Sequence, residues 1–184
     1  MESKIEHPVW FFTQKLKQNP TLQERLKLTR LFLALQPESN RDDQDLRLGL
    51  RGEQSGIAAG VVAWRLSGEK PIPTLVLSGR PMVREAWARL LATYVSNPDL
   101  ECCTPVKPYG RLASYYNSIT NRPVILTRGE YYEGIDYKKL NWPFDILIPD
   151  FDWIDRETLQ EAIDLTLKHG TILTVVTSCK INLK

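Results

Sequence analysis

With 184 residues, 42% of them hydrophobic and 25% charged, the chain has the length and balance of one ordinary globular domain, and it can bury a core without disulfide or metal staples. A net charge of +2 and a pI near 8.4 are too mild to argue for nucleic-acid or membrane binding from charge alone. No apolar run approaches the roughly 20 residues of a membrane span and the acidic start MESKIEHPVWFF lacks a signal-peptide core, so a cytoplasmic protein is expected.

Taken in order, residues 8 to 18 read as a short helix with Val9, Phe12 and Leu16 on one side, closed by Asn19-Pro20. Thr21 and Glu24 form a capping box for a second helix, whose apolar face is expected to contain Leu22, Leu26 and Leu33. Cations exceed acids in this segment, which a solvated helix face explains. Residues 37 to 45 (PESNRDDQD) are polar and read as a loop. The expected division is a helical segment and loop over 1–45, then an α/β domain over 46–184. The start of the second unit is ambiguous: Leu46, Leu48 and Leu50 alternate as in a hairpin, whereas Ile57, Val61 and Trp64 recur at helical spacing. A helix from about 54 to 66 is preferred, although Gly56 and Gly60 each cost roughly 1 kcal/mol there relative to Ala.

From Pro73 the pattern sharpens. Leu75, Val76 and Leu77 form a strand-like run, Gly79 permits a turn, Pro81 suits a first helical position, and Val83, Trp87, Leu90, Leu91 and Tyr94 repeat at the helical period. After a polar connection through Cys102 and Cys103, Leu112, Tyr115, Tyr116 and Ile119 predict a helix from Gly110 to Ile119. The runs 123–127 (PVILT), 144–148 (FDILI) and 171–177 (TILTVVT) read as strands buried on both faces. Between the last two lies a helix with Asp155 as N-cap, Leu159, Ala162, Ile163 and Leu167 toward the core, and Gly170 as its stop. This alternation predicts a three-layer α/β sandwich with a mainly parallel sheet, preceded by a short helical N-terminal segment.

The strand, Gly turn and helix after Pro73 have the build of a phosphate-binding loop. Walker A needs G-x-x-x-x-G-K-[ST], with backbone N–H groups around the phosphates, a lysine against their charge and a hydroxyl for Mg²⁺. Here the positions are held by Gly79, Arg80, Pro81, Met82, Val83, Arg84, Glu85 and Ala86. Gly79, Arg80, Arg84 and Glu85 read as the remnant of such a loop, because a carboxylate repels phosphate and alanine holds no metal.

The framework of Leu75 to Val83 and Ala88 to Ala92 resembles AAA+-type P-loop ATPases. RETLQEAIDLTLKHGTILTVVTS is similar to the matching stretch of pilus-retraction and type II secretion ATPases. The resemblance runs from Leu75 to Ser178 and implies a P-loop-like topology, with FDILIPDFDWID at the Walker B strand and TILTVVTS at the sensor strand. Where the family pairs Asp with Glu at the end of Walker B, this chain has Pro149-Asp150-Phe151-Asp152. A degenerate, non-catalytic binding or scaffold protein is expected, as a subunit of an ATPase or nucleic-acid-processing assembly.

Two other classes stay open: a Toprim-like, metal-dependent phosphodiester enzyme using Asp150 and Asp152, and a nucleic-acid-binding protein without catalysis. Residues 128–143 interleave Tyr131, Tyr132, Tyr137 and Trp142 with Lys138 and Lys139, a composition that anchors a protein partner or stacks bases. His7 and His169 assemble no triad. Adjacent Cys102 and Cys103 with solitary Cys179 offer no metal-ligand spacing, and no cofactor is expected.

Overall fold

The computed structural model describes residues 6–37, 43–67, 72, 74–78, 83, 86, 87, 90, 104–109, 112–116, 123–127 and 143–177, the stretches 104–109, 112–116 and 123–127 through their backbone alone. Helix α1 (Pro8–Trp10) runs into a π-helical turn, Phe11–Lys15. Helix α2 (Leu22–Ala34) follows, capped as predicted: Thr21 Oγ1 accepts the Glu24 N–H at 3.3 Å, and Glu24 Oε2 accepts the Thr21 N–H at 2.8 Å. Both halves of the ambiguous region form, as strand β1 (Arg47–Arg51) and helix α3 (Ser55–Ser67). Then come β2 (Thr74–Leu77), helical positions at Val83, Ala86, Trp87 and Leu90, β3 (Thr104–Tyr109), β4 (Leu112–Tyr116), β5 (Pro123–Thr127), β6 (Asp145–Ile148), α4 (Arg156–His169) and β7 (Leu173–Thr177).

Among the described residues the strands form one sheet in the order β1-β7-β6-β2-β5-β4-β3. The pairs from β1 through β5 are parallel, and β4 and β3 add an antiparallel edge. The mainly parallel sheet is as predicted, and β2 stands at its centre. Side-chain alternation divides each central strand between two cores. Val76, Leu147 and Val176 join α3, Phe12, Leu28 and Trp87 on one face. Leu75, Leu77, Ile146, Ile148 and Leu173 join Ala162 of α4 on the other. The connection β1–α3–β2 and the connection β6–α4–β7 run in opposite directions along the sheet, so right-handed crossovers place their helices on opposite faces.

Two expectations are corrected. Leu112–Tyr116 is a strand, not a helix: antiparallel pairing with β5 supplies partners for its backbone, and its two tyrosines suit a strand as well as a helix. In α2 the buried face is Leu28, Leu31 and Ala34, whereas Leu22, Leu26 and Leu33 are 75%, 56% and 56% exposed. This helix carries two apolar stripes, and the inner one joins the core that also contains α3.

Helix α3 is apolar nearly all round because it is covered on both sides. Its Trp64 indole N–H donates to the Glu6 carbonyl at 2.8 Å, and Gly60 admits the Phe12 ring, which a β-carbon would overlap. At its far end Arg65 donates to Asp145 of β6 from Nε at 2.6 Å and Nη2 at 3.2 Å, while Asp145 Oδ1 also accepts the Ile172 N–H at 2.9 Å.

Gly60→Ala is expected to destabilise the protein. Overpacking costs about 1–3 kcal/mol against a propensity gain of about 1 kcal/mol, and combining it with Phe12→Leu should return part of the loss in thermal denaturation. Asp145→Ala is expected to cost about 3–5 kcal/mol by leaving Arg65 buried and unpaired. Arg65→Met with Asp145→Leu should cost less than Asp145→Ala alone in urea titration.

Candidate functional site

Because β1, β7, β6, β2 and β5 are parallel, their carboxyl ends lie along one edge of the sheet, where ligand sites of open α/β folds are built. That edge gathers Arg51 and the turn Gly52–Gln54 after β1, Thr177 at the end of β7, Pro149 and Asp150 after β6, and Ser78 after β2. Arg51 and Thr177 are register partners, and the Thr177 hydroxyl donates to the Leu50 carbonyl at 3.4 Å.

The three aspartates after β6 are sorted by the local fold. Asp150 is 1% exposed and opens a 3-10 turn, in which its carbonyl accepts the Trp153 N–H at 2.9 Å. Asp152 faces solvent. Asp155 is the N-cap of α4, as predicted: its Oδ1 accepts the Thr158 N–H and its Oδ2 accepts the Thr158 hydroxyl, both at 2.7 Å. Burial raises the Asp155 pKa, but these hydrogen bonds outweigh it and hold the carboxyl below its ordinary value. Among the described residues no three His, Cys, Asp or Glu side chains converge as metal ligands.

The turn between β1 and α3 is the part of this edge that sequence reasoning missed. Arg51-Gly52-Glu53-Gln54-Ser55-Gly56-Ile57-Ala58 has the length of G-x-x-x-x-G-K-[ST] and lies between a strand and a helix. Gly56 matches the second glycine, while Arg51, Ile57 and Ala58 hold the first glycine, lysine and hydroxyl positions. Ile57 and Ala58 are 8% and 0% exposed. The turn is closed by its own groups. The Arg51 N–H donates to Gln54 Oε1 at 3.1 Å, and the Ser55 hydroxyl donates to the Gly52 carbonyl.

The turn is also held from outside. Gln54 Nε2 donates to Glu24 Oε1 at 3.0 Å, and Lys27 Nζ donates to the Gly49 carbonyl at 2.7 Å, so α2 grips both β1 and the turn. Burial pushes the Glu24 pKa up, yet the Gln54 hydrogen bond, then the Thr21 bonds and the Lys27 charge, bring it below 4.5.

Of the other predicted site residues, Gly79, Arg80, Arg84 and Glu85 lie outside the described residues, as do Tyr131, Tyr132, Tyr137, Lys138, Lys139 and Trp142. His7 caps α1, its Nδ1 accepting the Val9 N–H at 3.2 Å, and its ring lies 4.7 Å from that of Phe32.

No protein-family model and no curated protein matches the sequence. Solved structures do match the fold. A mutant form of the large terminase ATPase domain from Thermus phage P74-26 superposes with a TM-score of 0.57 at 13% identity, over 97% of this chain and 73% of that one. The large terminase of bacteriophage HK97 gives 0.56 at 12% identity, over 96% of this chain and 38% of that one. A second structure of the P74-26 domain gives 0.51 at 13% identity, over 96% and 72%. The chain has the fold of these ATPase domains. The P-loop-like architecture implied by the sequence framework is therefore present, and no described helix is long and apolar enough to cross a membrane.

Glu24→Gln tests the grip on the turn. A carboxyl whose folded pKa is lowered contributes stability above its ordinary value of 4.5, and this is lost as the pH falls through the folded value. The variant is expected to be less stable at neutral pH, by under about 1 kcal/mol for so exposed a pair. The gap should close in denaturation series taken well below pH 4.5.

Proposed function

We propose that this chain is a non-hydrolysing binding or scaffold component of an ATPase or nucleic-acid-processing assembly, built on the terminase-type P-loop fold. The observation that carries the reading is the turn from Arg51 to Ala58. The place of a phosphate loop between strand and helix is kept, but Ile57 and Ala58, both buried, stand where a lysine would meet phosphate and a hydroxyl would meet Mg²⁺.

Three further features support it. The Arg51 N–H, one of the donors that such a loop offers to an anion, is taken by Gln54 of the same turn. Glu53 adds an exposed negative charge there. The second strand–turn–helix unit of the framework, after β2, carries Glu85 and Ala86 at the same two positions, so neither unit supplies the lysine. Asp150 remains at the tip of β6 as the counterpart of a Walker B aspartate, and Phe151 follows it where a general base would stand. In this reading the partner-binding surface includes Tyr131, Tyr132, Tyr137, Lys138, Lys139 and Trp142.

Phosphate release from ATP is expected to stay at the level of a protein-free control, with Mg²⁺ and with or without duplex DNA, and calorimetry is expected to show no saturable Mg·ATP binding. Magnesium-dependent turnover that disappears in Asp150→Asn would overturn the proposal.

A further inference from the structure

We infer that the outward stripe of α2 is a docking site for an amphipathic helix of a protein partner whose apolar ridge is flanked by acidic residues. Leu22, Leu26 and Leu33 are spaced i, i+4 and i+11, with Thr29 between them at i+7. At about 100° per residue they fall on one line of the helix, opposite the stripe of Leu28 and Leu31 that is buried against the core. Three leucines at 56–75% exposure on one face of a 13-residue helix are a ridge, not scattered surface residues.

The flanks choose the occupant. Arg25 lies on one side of the ridge, its guanidinium donating to the Pro20 carbonyl and to Asn19 Oδ1 but keeping its charge, and Arg30 lies on the other, both exposed. The one acid of α2, Glu24, points the other way and is engaged by Thr21 and Gln54. A basic-flanked leucine ridge at this spacing is the complement of a helix that presents apolar anchors at i, i+4 and i+7 between carboxylates. A second copy docking ridge to ridge would add its own Arg25 and Arg30 to the seam, with the one acid of α2, Glu24, turned away from it. A bilayer is also disfavoured, because three leucines alone supply little insertion area. The ridge is separate from the strand edge, so this inference stands whether or not the Arg51–Ala58 turn binds nucleotide.

The test uses the full chain and two fluorescent synthetic peptides of about 18 residues. Both carry leucines at i, i+4, i+7 and i+11, one with glutamates and the other with lysines along the flanks. Saturable anisotropy binding is expected for the acidic peptide, about tenfold or more weaker for its basic twin, and weakened by at least about tenfold in Leu22→Ser/Leu26→Ser/Leu33→Ser. These side chains are exposed, so the triple variant should keep the thermal midpoint of the parent. Should it fail to fold, Arg30→Glu serves in its place and should narrow the preference between the two peptides. Equal binding of both peptides, no binding of the acidic one, or binding unaffected by these substitutions would overturn the inference. So would dimerisation of the free chain that the triple variant abolishes, or sedimentation with phosphatidylserine vesicles in place of peptide binding.

Discussion

The carboxylate of Asp145 is the point on which the layers are fixed. It sits at the amino end of β6, receives both Arg65 hydrogen bonds from α3 on one face of the sheet, and takes the N–H of Ile172 just before β7. One side chain therefore sets the height of α3 against the sheet and the stagger of two adjacent parallel strands. A buried ion pair is weak evidence for stability, since well-packed apolar groups often do as well. Here its geometry specifies registry. The consequence is felt at the opposite edge: with the strands aligned from their amino ends, Arg51, Thr177, Asp150 and Ser78 come together at their carboxyl ends.

The parts of this arrangement that could be read from the chain are those whose residues answer to local rules. FDILI and TILTVVT are largely apolar on both pleats because both faces are covered, and their length is that of strands. Helix α4 is bracketed by Asp155 and by Gly170, the latter at φ 63°, where glycine carries no penalty. The errors came where two rules coincide. Leu112, Tyr115 and Tyr116 satisfy the helical period, but tyrosine is also a favoured strand residue. The choice was made by a partner strand that adjacent residues do not reveal. In α2 the periodicity was real and the face was wrong, because a helix with two apolar stripes gives no local sign of which one meets the core.

The candidate site was legible in part for the same reason. Asp155 declared itself as a cap through the helical run that follows it and the glycine that ends that run. That Asp150 is enclosed while Asp152 is open depends on the 3-10 turn, which no spacing rule anticipates. Gly79 stands out in the sequence because the strand before it is clearly marked. The turn at Arg51 was passed over because its first glycine, lysine and hydroxyl positions are all substituted, leaving only Gly56 and the flanking strand and helix as signals. Those two elements were themselves obscured by a strand of only five residues and by two glycines inside α3. A helix with such composition forms because it is buried on every side, and that is a tertiary cause.

The N-terminal helices bear on the site through this same burial. Phe12 fits over Gly60, Leu28 and Leu31 pack on the apolar core around α3, and from that platform Glu24 reaches Gln54 while Lys27 reaches the Gly49 carbonyl. The turn conformation and the seating of α2 are then parts of one hydrogen-bonded unit. Gln54 donates to Glu24 with its amide nitrogen and accepts the Arg51 N–H with its amide oxygen, so one side chain links α2 to the turn. The outer ridge of α2 belongs to this rigid unit, because the inner stripe of the same helix anchors it. A partner seated on Leu22, Leu26 and Leu33 would thus bear, through one short helix, on the turn at the carboxyl edge of β1. The ordering of α2 is already provided by the fold, so such a partner would not have to supply it on binding.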